Sequence, residues 1–211
     1  MGHIIWDWNG TLVDDHDIVI EAVNVVMSAF GGGPVTSEDY LTRYHRPVRG
    51  FYNHLLETSL TDDDWSRIDA IFNDHYISRV EAISLAAGAE EALATAGGLG
   101  HTQSLLSMWR HDLVLREADR HGITRWFQRI EGNRTQSGDP KSHSLELHLE
   151  GLDLKPEDTT MIGDTLDDFD AARAAGCGII LVTGSQNPDS LQATGAPVVE
   201  SLAEAIERLA G

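Results

Sequence analysis

The stretch "TMIGDTLDDFDAARAAGCGIILV", residues 160–182, decides the fold. An apolar run at 160–162 leads into a helix-compatible segment at 167–175, and a second apolar run follows at 178–182. Strand, helix and strand at this spacing make a βαβ unit, whose strands run parallel. Working outward, further apolar runs lie at 4–6, 102–106 and 127–130, with a weaker one at 197–199. Helical stretches at 112–121, 142–150 and 202–209 alternate with them. The pattern predicts an α/β protein: a Rossmann-like, doubly wound parallel sheet with helices on both faces.

The first strand stands apart. Roughly 90 residues separate it from the second, far more than a βα connection needs. The interval reads as helices at 17–30, 37–44, 47–57 and 62–80. Gly31, Gly32, Gly33 and Pro34 end the first, and Thr36, Ser37 and Glu38 supply a capping start for the second. The expected organisation is an α/β core at 1–13 and 85–211, interrupted by a helical domain at 14–84.

Composition narrows the function classes. The 211 residues carry 34 acidic and 15 basic groups, a formal charge of −19. Nucleic acid and anionic membrane are therefore not expected partners, and an anionic substrate needs a local cluster of positive groups. No run approaches the ~18 apolar residues of a membrane span. The first apolar run covers only residues 4–6 before acidic residues follow, so no signal peptide is expected. The single cysteine, Cys177, cannot form an internal disulfide, which fits a cytoplasmic location. Beside a strand it reads as a small buried hydrophobe.

In an open parallel sheet the binding crevice lies at the carboxyl ends of the strands. Asp7 ends strand one, Ser107 strand two and Asp164 strand four, while Lys141 opens the helix after strand three. Singly, each reads as a turn residue, a cap or a solvated charge. Jointly, they place four chemistry-bearing groups on one sheet edge.

The motifs "DWNGTLVD" (7–14), "SLLSMW" with Ser107, "GDPKSH" with Lys141 and "MIGDTLDDFDAARAAG" (161–176) together resemble the haloacid dehalogenase superfamily. The similarity is to its phosphoglycolate phosphatase and β-phosphoglucomutase-like branch, and it spans the whole chain. It implies that the inserted helices are a cap and that Asp7 attacks phosphorus, forming an aspartyl-phosphate that divides one hard displacement into two easier ones. It implies Mg²⁺, a hard cation that prefers oxygen ligands, held by Asp7, Asp164 and the backbone carbonyl of Asn9, with Asp168 at the edge of the shell. Lys141 and Ser107 would meet the phosphoryl oxygens, with backbone N–H groups around Trp8, Asn9 and Met108 completing the cradle. The substrate is expected to be a small phosphorylated metabolite.

Asn9 departs from the pattern. Phosphatases of this superfamily usually carry a second Asp there, which protonates the leaving oxygen and later takes a proton from the attacking water; an amide, which does not titrate in this range, does neither. Acid–base help of this kind is typically worth ~10²–10⁴-fold. Aryl and acyl phosphates should suffer less from its loss than alkyl phosphates. Three readings follow: a phosphatase, a phosphotransferase or mutase, and a weakened phospho-ligand-binding protein. A phosphonoacetaldehyde hydrolase would need a cap lysine, yet only Lys141 and Lys155 occur. In the cap, His16 and His45 could replace the missing acid. Arg43, Arg46 and Arg49 in "RYHRPVRG" would suit an anionic substrate, or else make local salt bridges. Trp65, Phe72 and Tyr76 recur at helical spacing and read as cap core. His111, His121, His143 and His148 show no metal pattern and read as structural.

Overall fold

The computed structural model describes residues 2–134 and 140–210. Gly138 and Asp139 of the "GDPKSH" motif lie outside the described residues. The chain forms two compact units, Met1–Asp14 with Leu85–Gly211, and Asp15–Ser84. It begins with β1 (His3–Trp6) and β2 (Val13–Asp14), then α1 (His16–Ala29), α2 (Ser37–Arg43), α3 (Val48–Leu55) and α4 (Asp62–Arg79). It continues with β3 (Ser84–Leu85), α5 (Ala89–Gly98), β4 (Thr102–Arg110), α6 (His111–Arg120), β5 (Ile130–Asn133) and α7 (Lys141–Leu152). It ends with β6 (Thr159–Gly163), α8 (Leu166–Ala175), β7 (Gly178–Val182), α9 (Pro188–Gln192), β8 (Val198–Val199) and α10 (Leu202–Ala210).

The first unit holds a six-stranded sheet in the order β5-β4-β1-β6-β7-β8, all pairs parallel. β1 is central: Ile5 stands opposite Ser104 on one side and Met161 on the other. Its residues are buried on both faces, which is why it reads as an unbroken apolar run. On one face, Ile5, Leu106 and Met161 pack with Leu145 and Leu149 of α7 and Ala171 and Ala172 of α8. The chain steps outward from β1 through β4 and β5, then crosses back to β6 on the other side. The order reverses between β1 and β6, and a crevice opens outside the carboxyl ends of strands at such a point.

Two strands differ from the sequence expectation. β4 runs on through Arg110, past the apolar run at 102–106, so Ser107 lies inside the strand instead of ending it. β5 covers Ile130–Asn133, where the apolar pattern had placed a strand at 127–130. It is the sheet's edge, where polar residues such as Glu131 and Asn133 are tolerated. The two-residue strands β2 and β3, which form a separate sheet, carry too few residues for any periodicity. Next to them Ala86 N–H donates to Leu12 O at 2.9 Å.

In the second unit Val23, Val26, Met27, Tyr40, Phe51, Tyr52 and Ile68 form the core, with Trp65 and Phe72 packed against it. Capping boxes start α2 (Thr36 with Asp39) and α4 (Thr61 with Asp64). Tyr76 is buried and its hydroxyl donates to Asp15 Oδ2 at 2.7 Å.

A polar chain crosses the core of the first unit. His148 Nε2 and His3 Nε2 lie 2.8 and 2.7 Å from Ser104 Oγ, and His3 Nδ1 is 2.7 Å from Thr102 Oγ1. Ser104 has one proton to give. The arrangement that orphans no donor runs His148 Nε2–H to Ser104, Ser104 to His3 Nε2, and His3 Nδ1–H to Thr102. It leaves His148 Nδ1 a buried lone pair without a partner. Burial pushes both imidazoles down to about 4, with Arg129 adding to the effect at His148. Their folded-state values lie below the ordinary histidine value. The stability they contribute is therefore present above about pH 6.5 and lost as pH falls through about 4. Wild type is expected to lose thermal stability relative to His148→Gln as pH is lowered from 7 to 4. Parallel melting curves would show that the imidazole is not held neutral.

Candidate active site

Asp7 is the first residue beyond β1, and its N–H still donates to Ile162 O at 2.9 Å, so the ladder with β6 fixes its backbone. The chain then winds around one carbonyl, with Leu12 and Val13 N–H donating to Trp8 O at 3.0 and 3.1 Å. Gly10 has φ +71°, and a Cβ there would overlap Ser185 Oγ and the Asp164 carboxylate, so only glycine fits this turn. Asp164 follows β6 directly. Asp168 sits in the first turn of α8, where its Oδ2 accepts from Thr165 N–H at 2.9 Å and Thr165 Oγ1 at 2.6 Å.

Lys141 opens α7. A cation in a helix's first turn opposes the dipole, a local cost that functional sites often carry. Its ammonium is buried, 2.5 Å from Asp7 Oδ1 and 2.5 Å from Asp168 Oδ1. Among the described residues, Asp7, Asp164 and Asp168 are the one group of three potential ligand residues whose donor atoms lie close together, within 4.8 Å of one another.

Three buried carboxylates cluster here, and two of them, Asp7 and Asp168, share one ammonium. Burial, opposed by Lys141 and reinforced by the charges of Asp168 and Asp164, pushes the Asp7 carboxyl up to about 8. Burial and then Asp168 push Asp164 up to about 6, against hydrogen bonds from Ser185 and Thr11. Burial works to lower Lys141, but Asp168 and Asp7 more than offset it and hold the ammonium above its ordinary value. A surplus of buried negative charge on hard oxygen donors fits a divalent cation such as Mg²⁺.

The structure thus brings together Asp7, Lys141, Asp164 and Asp168. Ser107 is buried where the β4–β5 register shifts between Leu106 and Arg110, and its Oγ accepts from Trp109 N–H at 3.0 Å. An irregularity of this kind bends the strand locally and re-aims a side chain within it. Met108 is half-buried beside it, and Trp8 is buried with its ring 6.3 Å from that of His121. Asn9 is half-buried and forms an isolated bridge with Val13.

His16, Arg43, His45, Arg46 and Arg49 belong to the second unit. There His16 Nε2 lies 2.6 Å from Ser37 Oγ. Arg43 pairs with Asp39 at 3.3 Å, and Arg49 pairs with Asp62 at 2.7 Å and also donates to Leu60 O. The His45 ring stands edge-on to Phe51, 6.5 Å away. Arg46 precedes Pro47, the residue that caps α3.

Sequence reasoning did not single out the groups that hold Asp164. Thr11 Oγ1 donates to its Oδ1 at 2.9 Å and Ser185 N–H to its Oδ2 at 2.9 Å. Thr11 stands inside the motif that carries Asp7 and could have been found there. Ser185 carries no motif; only the pairing of β7 with β6 brings it close.

Among known proteins, the sequence pattern of the haloacid dehalogenase-like hydrolases matches residues 4–182. A phosphoglycolate phosphatase of Vibrio parahaemolyticus is 25% identical, over 98% of this chain and 95% of its own length. A phosphoglycolate phosphatase of Photobacterium profundum is 27% identical, over 87% of this chain and 84% of its own. The crystal structure of a haloacid dehalogenase-like hydrolase from Streptococcus pneumoniae superposes with a TM-score of 0.85 at 19% identity, covering 99% of this chain and 98% of that one. No described helix is long and apolar enough to cross a membrane. The chain belongs to the haloacid dehalogenase-like hydrolase family.

Proposed function

We propose that the protein is a Mg²⁺-dependent phosphatase of small phosphorylated metabolites, working through an aspartyl-phosphate on Asp7. The observation that carries this reading is the packing of Asp7 against Lys141, with Asp164 and Asp168 alongside, at the sheet's switch point. Lys141 occupies Asp7 Oδ1, which leaves the other oxygen to attack phosphorus while the bond to the leaving oxygen breaks. The ammonium reduces repulsion between the carboxylate and the incoming phosphoryl group and draws charge in the transition state. Asp7, Asp164 and the Asn9 carbonyl would hold Mg²⁺, with Asp168 supporting them. Bound there, the cation would neutralise phosphoryl oxygens and orient them. Water then adds to phosphorus, the Asp7–phosphorus bond breaks, and inorganic phosphate leaves. The phosphoglycolate phosphatases among the relatives make phosphoglycolate the first substrate to assay.

Asn9 supplies no proton to the leaving oxygen. Asn9→Asp is therefore expected to raise kcat/KM on phosphoglycolate and other alkyl phosphates by ~10²–10⁴-fold, and much less on 4-nitrophenyl phosphate. Equal gains on both substrates would contradict this assignment of Asn9. Wild-type protein inert toward aryl, acyl and alkyl phosphates alike, with Mg²⁺ present, would overturn the phosphatase reading.

A further inference from the structure

The loop after β7 closes on the acidic cluster at three successive residues. Gly184 packs so tightly that a Cβ would lie 2.6 Å from Gly10 O and 3.1 Å from Asp164 Cβ. Ser185 N–H donates to Asp164 Oδ2 at 2.9 Å. Gln186, only 7% exposed, accepts the Leu166 N–H on its side-chain oxygen. That N–H belongs to the first residue of α8 and is one of the donors a helix start leaves unsatisfied. Thr165 and Asp168 satisfy their own part of the helix start through their capping box. The facing donor also fixes the amide orientation, because the nitrogen end of Gln186 would meet an N–H.

We propose that Gln186 is a positioning residue for the cation site. By holding the Leu166 backbone it fixes the turn that presents Asp164 on one side and Asp168 on the other, in register with Asp7. This rests on the reading of those carboxylates as Mg²⁺ ligands. Partners that orient metal-binding groups from outside the ligand shell typically cost ~10–100-fold in metal affinity when removed.

The test is Mg²⁺ titration by calorimetry on wild type, Gln186→Met and Gln186→Glu, with 4-nitrophenyl phosphate turnover measured at limiting and saturating Mg²⁺. Met keeps the length without the acceptor, whereas Glu restores an acceptor. Gln186→Met should bind Mg²⁺ ~10–100-fold more weakly, while kcat recovers at saturating Mg²⁺ and KM for the ester stays unchanged. Gln186→Glu should return to within several-fold of wild type. Unchanged Mg²⁺ affinity in a folded Gln186→Met protein would overturn the proposal, as would a folded Gln186→Glu protein no better than Met. Wild type that takes up no Mg²⁺ overturns it too. Wild type that binds Mg²⁺ but hydrolyses no phosphate ester overturns the phosphatase reading alone.

Discussion

Asp7→Asn is expected to abolish phosphate-ester hydrolysis and, at the same time, to raise the thermal midpoint of the metal-free protein at pH 8. The activity loss should be on the order of 10⁴-fold or more, the scale on which removing a covalent nucleophile acts. The stability gain follows from linkage. The folded-state value of Asp7, about 8, lies above the ordinary carboxyl value of 3.8. The stability tied to this group is present below about pH 4 and is lost as pH rises through about 8. An amide resembles the protonated acid, so it keeps that stability at every pH. The gain should grow from pH 6 to pH 8, because wild type loses this stability over that range while the variant keeps it. Adding Mg²⁺ should then raise the midpoint of wild type more than that of the variant. Melting curves with and without Mg²⁺ at pH 6 and pH 8 check the sign. A variant that melts lower at pH 8, or retains a tenth of the activity, would refute the account.

Lys141→Met should fail in both respects. The ammonium is buried between Asp7 and Asp168, so its removal leaves two carboxylates facing each other with no cation between them. Breaking a buried pair from one side costs ~3–5 kcal/mol. The loss should be greatest at pH 8 and smaller near pH 6, where Asp164 and Asp7 take up protons more readily. Turnover should fall by ~10²–10³-fold or more even where the protein stays folded, because a charge aimed at the transferring group is gone. Denaturant unfolding at the two pH values, alongside 4-nitrophenyl phosphate turnover, separates the two effects. Stability that is independent of pH would mean that the carboxylates find another partner.

Much of the site that these two variants probe is legible in the sequence. β1 and β6 are buried on both faces and announce themselves as apolar runs, and their ends carry Asp7 and Asp164. β5, the sheet's edge strand, is largely polar, and β4 runs on past its apolar run through Ser107 to Arg110, so hydropathy stops short of both. Lys141 and Asp168 were legible from motif, since each stands in the first turn of a helix that follows a strand. Ser185 and Gln186 were not, because their contacts reach 21 and 20 residues back along the chain and depend on how β7 lies against β6. His148 read as structural, and it is buried in the core. Its link through Ser104 to His3 spans 44 and then 101 residues, a relation no local pattern encodes. Arg43 and Arg49 looked open to two uses, and in the folded unit both make ion pairs within their own helical neighbourhood.

The first unit gives up its chain at β2 and takes it back at β3, two strands joined in one small sheet, with Ala86 bonded to Leu12. An intervening stretch whose two ends leave side by side places little strain on its host. The stretch from Asp15 to Ser84 has a core of its own, and the turn carrying Asp7 is held by its bonds to β6 and Trp8 O. Chain continuity across the insertion thus asks of the host only a doorway two residues wide on each side.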